Sequence, residues 1–338
     1  MGLTYKDAGV DIEAGSEAVK RIKSHVKGTF GKDVLTEIGM FGGCIDAGKL
    51  KNFKEPVIVS SIDGVGTKTK IAAAMDKWDT VGKDIVNHSA NDILCCGAEP
   101  WFFMDYVASA KLEPEKVEQI VKGMAKACKE SGISLIAGET AEMPGVYCPK
   151  ETDIVGSIVG IAEKGKMVDG SKIAEGNVLI SLPSSGLHTN GFSLARKVVF
   201  EVAGLKAEDK VEGIEGSVGD VLLESHKSYV PEVLPLIKEF EIAGIAHITG
   251  GGLIDNIGRL LPEGVGARIE KAKLKPQPIF GFIQKKGEVS EQDMFRTFNM
   301  GTGMVLIVKK EDTESILGKL ENAWLIGEIV KGQGVKII

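Results

Sequence analysis

Asp63-Gly64-Val65-Gly66-Thr67-Lys68 is the stretch on which the reading of this chain turns. An apolar, β-branched run, Val57-Ile58-Val59-Ser60-Ser61-Ile62, precedes it, and a helix-forming run, Lys70-Ile71-Ala72-Ala73-Ala74-Met75, follows. Strand, glycine loop and helix form a geometry that suits a phosphate. Backbone N–H groups at a helix start point at the anion, and the dipole favours negative charge. Gly64 and Gly66 let the backbone approach closely. Lys68 adds a positive point charge, and Asp63 at the strand end offers oxygen to magnesium. The spacing fits neither G-x-x-x-x-G-K-[ST] nor G-x-G-x-x-G, since position 69 is Thr. Two readings stay open: a phosphate site of another lineage, or a glycine turn serving geometry only.

A chain of 338 residues suggests two domains, and an apolar fraction of 43% is ample for packed cores. A net charge of −6 argues against a nucleic-acid partner, whose phosphates call for a basic face. The five cysteines include no C-x-x-C, and Cys95 and Cys96 are adjacent. That pattern predicts a reduced, cytoplasmic chain without a zinc site. The opening Met1-Gly2-Leu3-Thr4-Tyr5-Lys6-Asp7 is polar and reads as neither a signal peptide nor a membrane span. Lys6 stands where myristoylation wants Ser or Thr.

Strand-like and helix-like segments alternate, which predicts an α/β or α+β fold. Val117, Ile120, Val121, Met124 and Cys128 recur at helical spacing after Glu113-Pro114-Glu115. Strands are expected at 57–62, 101–108, 133–137 and 154–161. A polar stretch from Glu163 to Lys172 then interrupts the pattern. It places the boundary between a domain of residues 1–167 and one of residues 168–338. In the second, strands are expected at 178–182 and near 265–269, 303–308 and 325–330. Helices are expected near 191–203, 219–240, 253–261 and 312–321.

Several constellations could carry chemistry. Asp84, His88 and Asp92 lie at i, i+4 and i+8, so on a helix they share a face with Asn87 and Asn91. A solvated face is the plain alternative, yet no Lys, Arg or Glu falls between Asp84 and Asp92, and short acids suit metal or phosphate water shells. Asp105 interrupts the apolar run from Trp101 to Ala108. It reads as a general base or metal ligand, unless strand alternation points it to solvent. Gly138-Glu139-Thr140-Ala141-Glu142 places two carboxylates in a loop after a strand, a pattern for magnesium or ribose. Ser184-Ser185-Gly186-Leu187-His188-Thr189-Asn190-Gly191 carries hydroxyls, an amide and glycines but no acid. It reads as an anion cradle or a capped turn. His247 leads into a glycine triplet, 250–252, and Arg296-Thr297-Phe298-Asn299 precedes a strand. Cys44 reads as an inert thiol. Together these suggest a nucleotide and a phosphorylated substrate.

The same residues carry a family resemblance. Tyr5-Lys6-Asp7-Ala8-Gly9-Val10-Asp11, the 63–68 loop, Asn91-Asp92, Gly97-Ala98-Glu99-Pro100, Gly138 to Gly145, Ser184-Ser185-Gly186, Asn190-Gly191, Thr249 to Gly252 and Thr297-Phe298-Asn299 match one family in order. The chain resembles the phosphoribosylformylglycinamidine cyclo-ligases, also called aminoimidazole ribonucleotide synthetases, over nearly its whole length. The resemblance implies two α/β domains and a homodimer whose N-terminal sheets join into a barrel. It implies cyclisation of formylglycinamidine ribonucleotide with ATP, through an iminophosphate, to aminoimidazole ribonucleotide, ADP and phosphate. Magnesium would sit on Asp63, Asp92 and Glu142, with potassium a further candidate. Gly64, Gly66, Thr67 and Lys68 would cradle the ATP phosphates, and Gly138, Glu139 and Thr140 would line the nucleotide site. Lys23 would reach the phosphates from an N-terminal helix if the segment from Tyr5 closes as a lid. Ser185, Gly186, His188, Asn190 and Gly191 would take the ribose phosphate. Asp105 and His247 are the candidates for proton transfer beside Lys68.

Two rival readings are weighed. A sister enzyme, such as selenophosphate synthetase, would want a reactive N-terminal cysteine in a setting that Cys44 lacks. A non-catalytic nucleotide-binding regulator should lack the metal-binding acids, yet Asp63, Asp92 and Glu142 are all present.

Overall fold

A computed structural model describes residues 3–338. The chain divides into two compact units. The first is formed by the residues up to Ile93 with Glu99–Lys164, the second by Leu94–Ala98 with Gly165–Ile338.

The first unit is built on a four-stranded sheet, β1 (Pro56–Gly64), β2 (Glu99–Ser109), β3 (Ser134–Glu142) and β4 (Thr152–Glu163), in the order β1-β4-β2-β3. β1/β4 and β4/β2 are antiparallel and β2/β3 parallel, and the last pairing sets Asp105 opposite Gly138. The helices are α1 (Ile12–Lys27), α2 (Thr69–Met75), α3 (Asp79–Leu94) and α4 (Pro114–Glu130). α1 starts where the Asp11 side chain accepts the N–H groups of Glu13 and Ala14. Pro114 opens α4, and Val117, Ile120, Val121, Met124 and Cys128 are buried along one stripe, as their spacing predicts. The β1 strand alternates between half-buried and exposed residues, leaving Ile58 and Ile62 54% and 70% exposed.

The second unit is built on a six-stranded sheet of β5 (Val178–Pro183), β6 (Ile242–His247), β7 (Val265–Ile269), β8 (Thr302–Val308), β9 (Trp324–Lys331) and β10 (Gly334–Ile337). The order is β10-β7-β9-β5-β8-β6, antiparallel except for the β10/β7 pair. β5, β6 and β8 are buried along almost their whole length.

Three helical expectations in this unit change. The segment near 191–203 is a five-residue helix, α5 (Phe192–Arg196), that widens into a π-helical turn at Lys197–Val202. The expected helix over 219–240 is two, α6 (Val218–Leu223) and α7 (Val230–Glu239), around an extended break. Pro231 restricts the residue before it, and the break sinks Tyr229 into the core, where its hydroxyl donates to the Pro183 carbonyl at 2.9 Å. Beyond α8 (Gly252–Gly258), the helices α9 (Pro278–Gly287) and α10 (Glu291–Thr297) and the strands β6 and β10 were not expected from the sequence. The 312–321 helix shortens to α11 (Thr313–Leu317).

Close backbone approach fixes the helix layer of the first unit. A Cβ on Gly123 of α4 would lie 1.9 Å from the Asp79 carbonyl oxygen of α3, and one on Gly82 of α3 would lie 2.0 Å from the Ile120 carbonyl oxygen of α4. The two helices therefore touch main chain to main chain. Gly123→Val should force them apart and destabilise the protein by about 1–3 kcal/mol, the usual cost of overpacking. A denaturant melt with an unchanged midpoint would show that the helices separate freely.

Candidate active site

The glycine loop forms as its sequence predicts: β1 ends at Gly64, Gly66–Lys68 make a 3₁₀ turn, and α2 begins at Thr69. Gly66 has φ +68°, a left-handed conformation that glycine adopts at little cost. Thr69 Oγ1 donates to the Gly66 carbonyl at 3.0 Å. Gly64, Gly66 and Thr67 are exposed. Lys68 departs from its expected place. Its ammonium lies 2.7 Å from Asp84 Oδ2, and both side chains are fully buried. A lysine held this way anchors the loop to α3, and it is poorly placed to receive phosphate oxygens from solvent.

The i, i+4, i+8 acids do lie on one helix, α3, but they divide their work. Asp84 pairs with Lys68. Asp92 and Asp63 both approach His88, with Nε2 to Asp63 Oδ2 at 3.1 Å and to Asp92 Oδ2 at 3.6 Å. Ser61 Oγ donates to Asp92 Oδ2 at 3.4 Å. Burial of His88 opposes its charge most strongly. The Asp63 hydrogen bond and the charges of Asp92, Asp63 and Asp84 outweigh it and raise the pKa above the ordinary value. Asp63 and Asp92 keep side-chain exposures of 37% and 28%. As accessible carboxylates on a strand end and a facing helix, they fit the all-oxygen shell of magnesium.

Glu142 stands differently. Its Oε2 accepts the Asp11 N–H at 2.5 Å and its Oε1 accepts the Leu112 N–H at 2.8 Å. Both oxygens tie backbone together at the start of α1, so this donor set does not fit the ion.

A cavity of about 340 Å³ opens between α1, the 37–43 loop and β3. Gly138, Glu139 and Thr140 line it, as expected for a nucleotide site. Val19, Ile22, Phe41, Val121 and Leu135 supply apolar walls. Lys23 is exposed on α1, one residue along from Ile22, and its charge acts on Glu37 at the rim. Asp105 also lines this cavity. Burial pushes its carboxyl up to about 7, opposed only by a hydrogen bond from its own backbone.

In the second unit the 184–191 loop is tightly held. Ser184 Oγ donates to Asn299 Oδ1 at 3.1 Å, and Asn299 Nδ2 donates to the Gly186 carbonyl at 2.8 Å. Ser185 Oγ donates to the Ser225 carbonyl, and the Ser185 N–H donates to His188 Nε2 at 3.1 Å. His188 is buried at φ +62°. Asn190 Nδ2 reaches Thr189 Oγ1 at 3.4 Å. Gly191 caps α5 at φ +80°, where a Cβ would strike the Phe298 ring at 2.3 Å. His247 ends β6, and its Nε2 lies 2.9 Å from His226 Nε2, so one imidazole donates and the other accepts. The His226 ring stacks on His188 with centroids 4.0 Å apart.

Comparison with known proteins matches residues 46–162 to the family described as AIR synthase related protein, N-terminal domain. Residues 174–338 match AIR synthase related protein, C-terminal domain. The chain belongs to the AIR synthase family. A phosphoribosylformylglycinamidine cyclo-ligase of Bacillus pumilus is 50% identical over 99% of this chain and 98% of its own. One of Alkaliphilus oremlandii is 49% identical over 98% of each. In fold, the chain is similar to a thiamine-monophosphate kinase from Stenotrophomonas maltophilia, at TM-score 0.68, 16% identity and 95% coverage of both chains. It is also similar to the hydrogenase maturation protein HypE of E. coli, at TM-score 0.66, 17% identity and coverage of 96% and 94%.

For this AIR synthase family member, sequence reasoning missed His226 and Asn299 as parts of the site. His226 was hidden inside an apparent helix, and its signal was the Ser225-His226-Lys227 interruption just ahead of Pro231. The 250–252 triplet also has a packing explanation, since a Cβ on Gly252 would lie 1.9 Å from the Phe295 carbonyl oxygen.

The raised Asp105 pKa has a stability consequence. The folded state holds this proton more tightly than the unfolded chain does. Its stabilising contribution is therefore complete below about 4 and is lost as pH rises through about 7. Asp105→Asn is neutral at every pH, so it should gain on the wild type across that window and hold the gain above it. Parallel pH-stability curves for the two proteins would contradict the assignment.

Proposed function

We propose that this chain closes the imidazole ring of aminoimidazole ribonucleotide. It uses ATP to convert formylglycinamidine ribonucleotide, releasing ADP and phosphate, as a carbon–nitrogen ligase of purine biosynthesis. The carrying observation is the joint presence, in the first unit, of a glycine-lined apolar cavity and the Asp63/Asp92 carboxylate pair. It occurs in a chain half identical over its length to relatives named for this reaction.

The chemistry divides into two displacements. The formamide oxygen takes the γ-phosphoryl group of ATP and ADP leaves. The amidine nitrogen then attacks the activated carbon, and the C–O bond breaks to release phosphate as the ring closes. Phosphoryl transfer needs charge neutralisation and alignment more than covalent help. Bound magnesium supplies that neutralisation, and Asp63 and Asp92 are the residues that would hold it. Exposed backbone at Gly64, Gly66 and Thr67 would receive phosphate oxygens, with Lys68 and Asp84 holding the loop in shape. Lys23 would add charge from α1. The 185–191 loop would receive the substrate's phosphate through Ser185, Gly186, Asn190 and Gly191. His247, oriented by His226, would move the proton that the amidine loses. Glu142 belongs in this scheme as a brace for the start of α1 and not as a metal ligand.

We assign the same chain a homodimeric state and a cytoplasmic setting. Exposed Ile58 and Ile62 on one face of β1 support burial of that face against a second copy. The five free thiols suit a reducing compartment. Among the described residues no helix is long and apolar enough to cross a membrane.

The direct test is ATP-dependent formation of a diazotisable amine from formylglycinamidine ribonucleotide, with ADP in equal amount, in Mg²⁺ with and without K⁺. Absence of product from a folded, metal-supplied protein would defeat the reading. Asp63→Asn should abolish turnover, by about 100-fold or more, while leaving the melting temperature close to wild type. Unchanged turnover would remove Asp63 from the mechanism. Ile62→Lys should convert the dimer to monomer in light scattering, and an unaltered mass would place the interface elsewhere.

A further inference from the structure

Asp105 is the one feature of the first unit that the proposed chemistry leaves without a task. Its carboxyl receives a hydrogen bond from its own backbone and, among the described residues, from no other group. It lines the cavity beside apolar walls that include Val121 of α4 and Leu135 of β3. Neighbouring Gly138 leaves room for it: a Cβ there would lie 2.3 Å from Asp105 Oδ1. An acid set among apolar side chains without a partner is costly, and a ligand that supplies the partner removes the cost.

We propose that Asp105 reads the base of the bound nucleotide and selects adenine over guanine, a proposal that rests on the nucleotide site assigned above. The argument is one of matching edges. Apolar walls suit the faces of a flat heterocycle. Burial keeps the carboxyl largely protonated near neutral pH, so it offers one O–H donor and one C=O acceptor side by side. Adenine offers the complement, an acceptor at N1 and a donor at its exocyclic amine. Guanine offers two adjacent donors, N1–H and its exocyclic amine, so the acid's O–H would meet an N–H. A site built around a buried hydrogen-bonding group rejects the analogue that leaves the group unpaired. Ribose hydroxyls are the competing partner. They would favour an ionised carboxylate, against the direction in which burial moves Asp105.

The test is calorimetric titration of the intact protein with ATP, GTP and purine ribonucleoside triphosphate, which lacks the exocyclic amine. The wild type should prefer ATP over each of the others by about tenfold or more. Asp105→Asn keeps one donor beside one acceptor and should keep the preference. Asp105→Ala, or Asp105→Ser should the alanine variant not fold, should lose ATP affinity by about tenfold and bring the ATP/GTP ratio close to one. Equal losses for ATP and GTP with the ratio preserved would put Asp105 on the ribose and overturn the proposal. Unchanged ATP binding with lost turnover would return it to proton transfer and overturn it equally. No ATP binding by the folded wild type would instead defeat the nucleotide site itself. That outcome is distinct from a wild type that binds ATP selectively whatever occupies position 105.

Discussion

The buried pair of Lys68 and Asp84 is the constraint on which the first unit's chemistry depends. Each charge has lost its water, and the pairing at 2.7 Å is what makes that tolerable. Removing one partner would leave an uncompensated charge in the interior, a defect that typically costs about 3–5 kcal/mol. The pair does more than balance itself. It fixes the end of the glycine turn against α3, and α3 also carries His88 and Asp92. The loop that would meet phosphate and the helix that would meet the metal are thereby held to one geometry, so exposed backbone at Gly64, Gly66 and Thr67 can be pre-organised without being buried.

The histidine beside the pair follows the same logic with the opposite exposure. His88 is buried, yet two carboxylates and a hydrogen bond keep its pKa raised. A positive imidazole between Asp63 and Asp92 holds two like charges near each other while their outward oxygens remain accessible. Magnesium entering such a site would not have to assemble its carboxylates from separate, mobile side chains.

How far the site was legible in the sequence depends on which interactions are local. The spacing of Asp84, His88 and Asp92 correctly placed all three on one helix, because helical periodicity is a local property. Their division of labour was not legible. Over eight residues a helix drifts by about 80°, so Asp84 and Asp92 face different neighbours, and those neighbours come from β1 and the glycine turn. The same limit hid the role of Glu142, whose two partners, Asp11 and Leu112, lie 131 and 30 residues away. The strands of the first unit were legible because β-branched runs ended at glycines and acids. In the second unit β6 was missed, because Ile242 to His247 contains alanine and glycine and shows no alternation, being buried on both faces.

The second unit shows why a glycine- and hydroxyl-rich loop need not be loose. Asn299 alone spans it, accepting from Ser184 Oγ and donating to the Gly186 carbonyl, while its Oδ1 also accepts the Gly301 N–H at 2.9 Å. One buried amide thus coordinates the loop and the turn before β8. The imidazoles extend this order from backbone to protons. Thr189 Oγ1 lies 3.3 Å from His226 Nδ1, and His226 Nε2 lies 2.9 Å from His247 Nε2. In such a chain each donor fixes the tautomer of the next ring. The hydroxyl of the loop that would grip the substrate's phosphate therefore bears, through His226, on which nitrogen of His247 carries a proton. Substrate that reorients Thr189 would alter the proton inventory of His247 without touching it, which couples correct seating of the phosphate to readiness for ring closure.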